Sequence, residues 1–179
     1  MCESEMDINR VIKIKDYESP CGLLRLGAFG GRLCLCHWLH GKHGEREEKH
    51  LAKTLRSDLE AGTSPVIEAA QLQLDEYFWR KRREFSIPLL FVGTDFQKMV
   101  WDELLRIPFG TTVSYAEIAC RIGRPTAVRA VANANGANPV AIFVPCHRVI
   151  GSNGTLTGYA GGLLAKRFLL DLEGDKGLF

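Results

Sequence analysis

Residues 138–150 read NPVAIFVPCHRVI, and the interpretation of the whole chain turns on them. Asn138-Pro139 opens the segment as a turn, Val140 to Val144 is an unbroken apolar run, and Pro145 stands immediately before Cys146, His147, Arg148, Val149 and Ile150. A short apolar run bounded by turn signals predicts a buried strand, here one that delivers a cysteine. Cys146 follows a residue of fixed φ and precedes two groups able to favour a thiolate over a thiol of pKa about 8.5. Such a thiol is a nucleophile. Neighbours on an extended strand point to opposite faces, so Cys146 and His147 meet only if the strand ends there in a turn or a water bridges them. A third group should orient the imidazole. A Cys-His pair taken alone is structural in most chains, so the case depends on its surroundings.

Downstream, Gly151-Ser152-Asn153-Gly154 predicts a turn, Thr155 to Tyr159 a short extended piece, and Gly161-Gly162 precedes a helix over Leu163 to Glu173 closed by Gly174. Upstream, Thr94 caps a helix in which Phe96, Val100, Leu104 and Ile107 recur at helical spacing, ended by Pro108-Phe109-Gly110. Ser114 then caps Tyr115 to Arg121, Gly123 turns the chain, and Thr126 opens a helix to about Ala134 with Val128 and Val131 inward. That is a helix-turn-helix outline, its second helix carrying Arg129 among Ala127, Ala130, Ala132 and Ala134. Small residues permit close approach to a sugar-phosphate backbone and equally close packing in a core.

In the first half, turn signals at Ser19-Pro20 and Phe29-Gly30-Gly31 bracket Gly22 to Ala28 and Arg32 to Leu39 as a hairpin. Leu51, Leu55 and Leu59 form a helical stripe within His43 to Glu60, and Ser64 to Trp79 predicts a second amphipathic helix. The basic run Lys81-Arg82-Arg83 and Pro88 break the pattern before a linker near 84–94.

A chain of 179 residues with 46% hydrophobic and 25% charged residues can bury a core without disulfides and is not a disordered chain. It has no apolar run of about 18 residues to span a membrane, and Met1 to Arg10 does not read as a secretory signal. A cytoplasmic location with reduced cysteines is the expectation. Charge is uneven, net −1 over 1–95 and net +3 over 96–179. Within 104–170 the basic residues Arg106, Arg121, Arg124, Arg129, Arg148, Lys166 and Arg167 face one acidic residue, Glu117. That stretch is either a surface for a polyanion or a solvated basic face.

The phrases VSYAEIA, RAVANANGANP, PCHRVI, GYAGG and LLDLEG, spread over Thr94 to Gly174, resemble the O6-alkylguanine-DNA alkyltransferases in order and spacing. The N-terminal part matches only loosely, through SPCGLLRL and overall length. The resemblance implies an α+β protein with an N-terminal ribonuclease-H-like mixed domain at 1–93 and a C-terminal helical, winged-helix-like DNA-binding domain at 94–179. It implies direct-reversal repair: Cys146 takes the alkyl group from O6-alkylguanine in duplex DNA, with O4-methylthymine a second candidate substrate, and keeps it, in one turnover. His147 would be the base acting through a water, Glu173 would hold and polarise it, and Tyr115 would donate to the flipped guanine as it leaves. Arg129 would enter the base stack, with Thr126, Ala127 and Ala130 lying against DNA, and Asn138 would be the hinge before the cysteine segment.

Val149, Tyr159, Ala160 and Gly161 would enclose the alkylated base, the first and the last three through backbone groups. Ala160 departs from the serine of some family members, leaving a backbone donor only and an open pocket. The resemblance implies no cofactor and no membrane, with a monomer on double-stranded DNA. Some relatives carry zinc in the N-terminal domain, but Leu33-Cys34-Leu35-Cys36-His37 reads as a buried strand rather than a zinc pattern. No metal is therefore expected. Two rivals remain, a lesion sensor that flips alkylated bases without repairing them and a helix-turn-helix regulator with an incidental thiol. The sensors replace the reactive cysteine, and here Cys146 is present.

Overall fold

The computed structural model describes residues 10–174, which fall into two compact units meeting at Val92 and Gly93. The first unit is built on a sheet of β1 (Val11–Ser19), β2 (Gly22–Phe29), β3 (Arg32–Trp38) and β4 (Asp58–Ala61) in the order β3-β2-β1-β4. β1, β2 and β3 form an antiparallel meander, and β4 joins β1 in parallel. The parallel pairing needs a crossover from β3, which helix α1 (Gly44–Leu55) supplies. Helix α2 (Pro65–Phe78), capped by Ser64, packs on β1, β2 and β3.

The hairpin β2–β3 matches the sequence expectation, whereas β1 and β4 add strands it did not contain. The helix expected to Glu60 ends earlier. Arg56 adopts the left-handed conformation at φ 50° and stops α1, so Leu59 belongs to β4 rather than to the stripe of Leu51 and Leu55. The expected linker pairs with β3 through Leu33 N to Pro88 O and Leu90 N to Leu33 O. Cys34 and Cys36 are fully buried in β3, and His37 Nε2 lies 2.8 Å from Glu48.

The second unit comprises α3 (Asp95–Leu104), β5 (Val113–Ser114), α4 (Tyr115–Arg121), α5 (Val128–Gly136), a 3-10 turn (Cys146–Arg148), β6 (Val149–Ile150) and α6 (Leu163–Glu173). Two helix starts carry capping boxes, Thr94 with Gln97 and Ser114 with Glu117, in which side chain and backbone satisfy each other. Helix α5 packs on both α3 and α4, and Trp101 of α3 donates through Nε1 to Ala134 O of α5 at 2.8 Å. The buried face of α5 is Val131, Ala134 and Asn135. Val128, expected inward, is exposed, and Thr126 precedes the helix, whose N-cap is Ala127. Positions 131, 134 and 135 lie together at helical spacing, while 128 falls at the edge of that stripe.

The run Val140 to Val144 is buried as expected but is not a strand. Phe143 N bonds Ala141 O, Val144 N bonds Val140 O, and Ile142 sits at φ 72°. The segment is thus a tight loop whose backbone is satisfied locally. An apolar run buried on all sides has no periodicity to tell loop from strand. Among the described residues no helix is long and apolar enough to cross a membrane.

Candidate active site

Cys146, His147 and Arg148 are consecutive residues of a single 3-10 turn after Pro145, and all three are buried. The chain therefore turns at the cysteine, the condition under which neighbouring side chains leave opposite faces. The loop before it is clamped by Asn138, which donates through Nδ2 to Val144 O at 2.9 Å and accepts from Val140 N at 3.0 Å. Asn135 of α5 donates to the carbonyl of Cys146 itself at 3.4 Å. The cysteine backbone is thus tied to the second helix of the helix-turn-helix outline.

Glu173, at the far end of α6, is the centre of the buried charge. Its Oε1 lies 2.7 Å from His147 Nε2 and accepts from Arg148 Nη2 at 2.8 Å, while Oε2 accepts from Arg148 Nε at 2.8 Å and from Gly110 N at 3.4 Å. Arg148 also donates through Nη1 to Ile107 O at 2.7 Å and lies over the Phe109 ring. Gly110 closes this loop at φ 77°, and a Cβ there would come within 3.0 Å of the Glu173 carbonyl, so both conformation and space favour glycine.

Burial opposes ionisation of Glu173, but the hydrogen bonds from His147 and Arg148 and the charge of the Arg148 guanidinium outweigh it and hold the carboxyl well below its usual range. Burial pushes His147 the other way from a charged state, lowering its pKa against the pull of Glu173. With Arg148 neutralising the carboxylate in a bidentate fork, we take the imidazole to be neutral. Its Nε2 then carries the proton donated to Glu173, leaving Nδ1 bare. Nδ1 is buried and has no hydrogen-bond partner among the described residues. A bare imidazole nitrogen next in sequence to a thiol is equipped to receive its proton, directly or through a water.

Tyr115 is the first residue of α4. β5 immediately before it pairs with β6 immediately after the 3-10 turn, Val113 with Val149 and Ser114 with Ile150, so the tyrosine starts beside the cysteine segment. Its hydroxyl oxygen accepts from Thr157 Oγ1 at 3.1 Å. Tyr159, Ala160 and Gly161, half-buried, lie in the same irregular segment as Thr157. The Val149 carbonyl accepts from Lys166 Nζ at 2.6 Å, which leaves it a second lone pair. Arg129, Thr126 and Ala130 are exposed on α5 and the turn before it, and Ala127 is half-buried.

Two residues counted in the basic stretch do not face solvent. Arg148 is spent on Glu173 and Ile107, and Lys166 is fully buried with Nζ on Val149 O and Thr157 O. Arg106 and Arg121 both lie beside Glu103. The sequence did carry a signal for these interior charges. On α6 the buried positions are Ala165, Lys166, Leu169, Leu172 and Glu173, so a lysine and a glutamate occupy the apolar stripe seven residues apart, where solvated charges do not belong. Among the described residues no group of three or more His, Cys, Asp or Glu side chains is gathered as a metal would require.

Comparison with known proteins places these features. Residues 95–175 match the family model described as 6-O-methylguanine DNA methyltransferase, DNA binding domain. A methylated-DNA–protein-cysteine methyltransferase of Methanosarcina acetivorans is 44% identical over 159 residues, 89% of this chain and 96% of that protein. The crystal structure of the Mycobacterium tuberculosis O6-methylguanine methyltransferase superposes with a TM-score of 0.79 at 42% identity, covering 93% of this chain and 94% of that one. A structure of the same organism's protein in complex with DNA superposes at 0.77 over the same shares.

Proposed function

Given that the chain belongs to the methylated-DNA–protein-cysteine methyltransferase family, which reverses DNA alkylation by moving the alkyl group to a cysteine, we propose that Cys146 is the acceptor. DNA is its partner. The observation that carries the assignment is the bare, buried Nδ1 of His147, held by Glu173 through Nε2 within the 3-10 turn that begins at Cys146. His147 takes the thiol proton through a bridging water. The sulfur then attacks the alkyl carbon, a sulfur–carbon bond forms and the carbon–O6 bond breaks. Tyr115 donates to the departing guanine so that it leaves without a full negative charge.

DNA lies against α5, with Thr126, Ala127 and Ala130 on the backbone and Arg129 filling the stack from which the base is flipped, offsetting an unstacking cost of roughly a few kcal/mol. The exposure of Arg129 and the small residues beside it support this placement. Val149, Tyr159, Ala160 and Gly161 receive the base, with O6-alkylguanine the main substrate and O4-methylthymine a second. Asn138 is the hinge that couples α5 to the cysteine segment, as its two backbone bonds suggest.

The finer fold reading is a ribonuclease-H-like first domain over 1–93 and a winged-helix-like second domain over 94–179. It is supported by the sheet order β3-β2-β1-β4 with its single parallel pair and by helices α4 and α5 flanked by the β5–β6 pair. Acceptor, base and orienting carboxylate all lie within one chain, which supports a monomer as the acting species.

The test is the intact mass of the protein after mixing with an equimolar duplex containing O6-methylguanine, followed by peptide mapping. A single added methyl on Cys146 with guanine restored is the expected result. Cys146→Ala should lose transfer and keep lesion binding. Binding without transfer by the parent protein would favour a lesion sensor instead.

A further inference from the structure

Two hydrogen bonds converge on Thr157, in the segment between β6 and α6, and give that segment a role in the chemistry as well as in enclosing the base. Thr157 donates through Oγ1 to the Tyr115 hydroxyl oxygen at 3.1 Å. The Thr157 carbonyl accepts from Lys166 Nζ at 3.0 Å, and the same Nζ donates to Val149 O at 2.6 Å. Lys166 is fully buried. An ammonium group is held out of water only where its donors are well placed, so Lys166 is a costly pin joining α6 to two other segments. It fixes the backbone of Thr157. The β-branched side chain of threonine, stiff about χ1, then carries that constraint to the hydroxyl.

A phenol has one proton and can both donate and accept. If Tyr115 gave its proton to Thr157, it would offer an incoming base only lone pairs. Because its oxygen instead accepts from Thr157, its own proton stays available for another acceptor. With Thr157 as the donor, Tyr115 keeps a proton with which to serve as an acid. We infer that Thr157, pinned by Lys166, is a positioning residue that keeps Tyr115 a hydrogen-bond donor toward the departing guanine. This rests on the reading of Tyr115 as the group that donates to the leaving base.

The contribution belongs to the transition state. As the carbon–O6 bond breaks, charge builds on the purine, the Tyr115 proton is drawn toward it and the phenol oxygen becomes the richer acceptor. The bond from Thr157 strengthens at that moment, since linked hydrogen bonds polarise one another. An interaction that strengthens only in the transition state raises the limiting rate without tightening binding.

The experiment measures single-turnover transfer from an O6-methylguanine duplex over a range of DNA concentrations for Thr157→Val, Thr157→Ser, Tyr115→Phe and the double variant Thr157→Val/Tyr115→Phe. Thr157→Val should lower the limiting rate roughly five- to tenfold and leave the half-saturating DNA concentration unchanged. Thr157→Ser, which keeps the hydroxyl, should restore the rate. Tyr115→Phe should be slow, and adding Thr157→Val to it should cost nothing more, because the threonine acts through the phenol. A Thr157→Val rate equal to the parent's, or a loss that persists in full in the Tyr115→Phe background, overturns the role of Thr157 while leaving Tyr115 intact. A Tyr115→Phe variant as fast as the parent overturns the reading of Tyr115 itself.

Discussion

Replacing Glu173 with glutamine removes one charge and almost no volume from the interior. The Glu173 and Arg148 side chains are 1% and 8% exposed and meet at 2.8 Å, so the guanidinium would be left buried against a neutral amide. Removing one partner of a buried pair costs about 3 to 5 kcal/mol, a large part of the roughly 5 to 15 kcal/mol that holds a typical domain together. Urea unfolding followed by tryptophan fluorescence reads this loss, with Trp101, bonded to Ala134 O in the same unit, as a reporter. Arg148→Met/Glu173→Gln removes both charges and keeps an amide oxygen for His147 Nε2. It should regain about 2 kcal/mol relative to Glu173→Gln, since the penalty lies in the stranded guanidinium. Glu173→Gln within about 1 kcal/mol of the parent, or a double variant worse than the single one, would refute a buried Arg148–Glu173 pair.

Stability should begin to fall as pH drops below about 6.5, where the unfolded histidine takes up a proton that buried His147, its pKa lowered by burial, still refuses. A second loss follows below about 4.3, the unfolded glutamate value, as pH approaches the depressed value of Glu173 in the fold; equilibrium unfolding across pH 3 to 8 (about the span of these groups) reads both. O6-benzylguanine should inactivate the protein, because Ala160 and Gly161 leave little side chain over the base; inactivation by O6-methylguanine alone would refute an open pocket. Arg129→Ala should slow repair in duplex DNA by about a hundredfold, in line with an unstacking term of a few kcal/mol, and leave the reaction with free O6-benzylguanine unchanged. Equal losses on both substrates would count against a finger in the base stack.

The helix starts at Thr94 and Ser114 were legible because a capping box is complete within four residues of sequence. The hairpin β2–β3 was legible for the same reason, its strands being joined by a short turn. Strand β4 was not. It is four residues long, its partner β1 lies far upstream, and Leu59 happens to continue the spacing of Leu51 and Leu55. What separates them is the left-handed Arg56, which no periodicity announces. In the site, Cys146, His147 and Asn138 stand in one short stretch that points to its own chemistry. The roles of Arg148 and Lys166 depend on Glu173, Ile107, Val149 and Thr157, partners the sequence holds apart, and a count of basic residues assigns both to the surface.

The packing of Cys146, His147 and Arg148 into one 3-10 turn restricts how such a protein can be diversified. Their relative placement is set by a single stretch of backbone, so none can be moved without carrying the other two, and Glu173 anchors the last two together. The segment from Ser152 to Gly161 holds no helix or strand, and Thr157 ties it to α4 and α6. A library seeking larger or differently shaped leaving groups is therefore best spent on the rest of that segment, with Thr157 retained and the turn kept as an invariant cartridge.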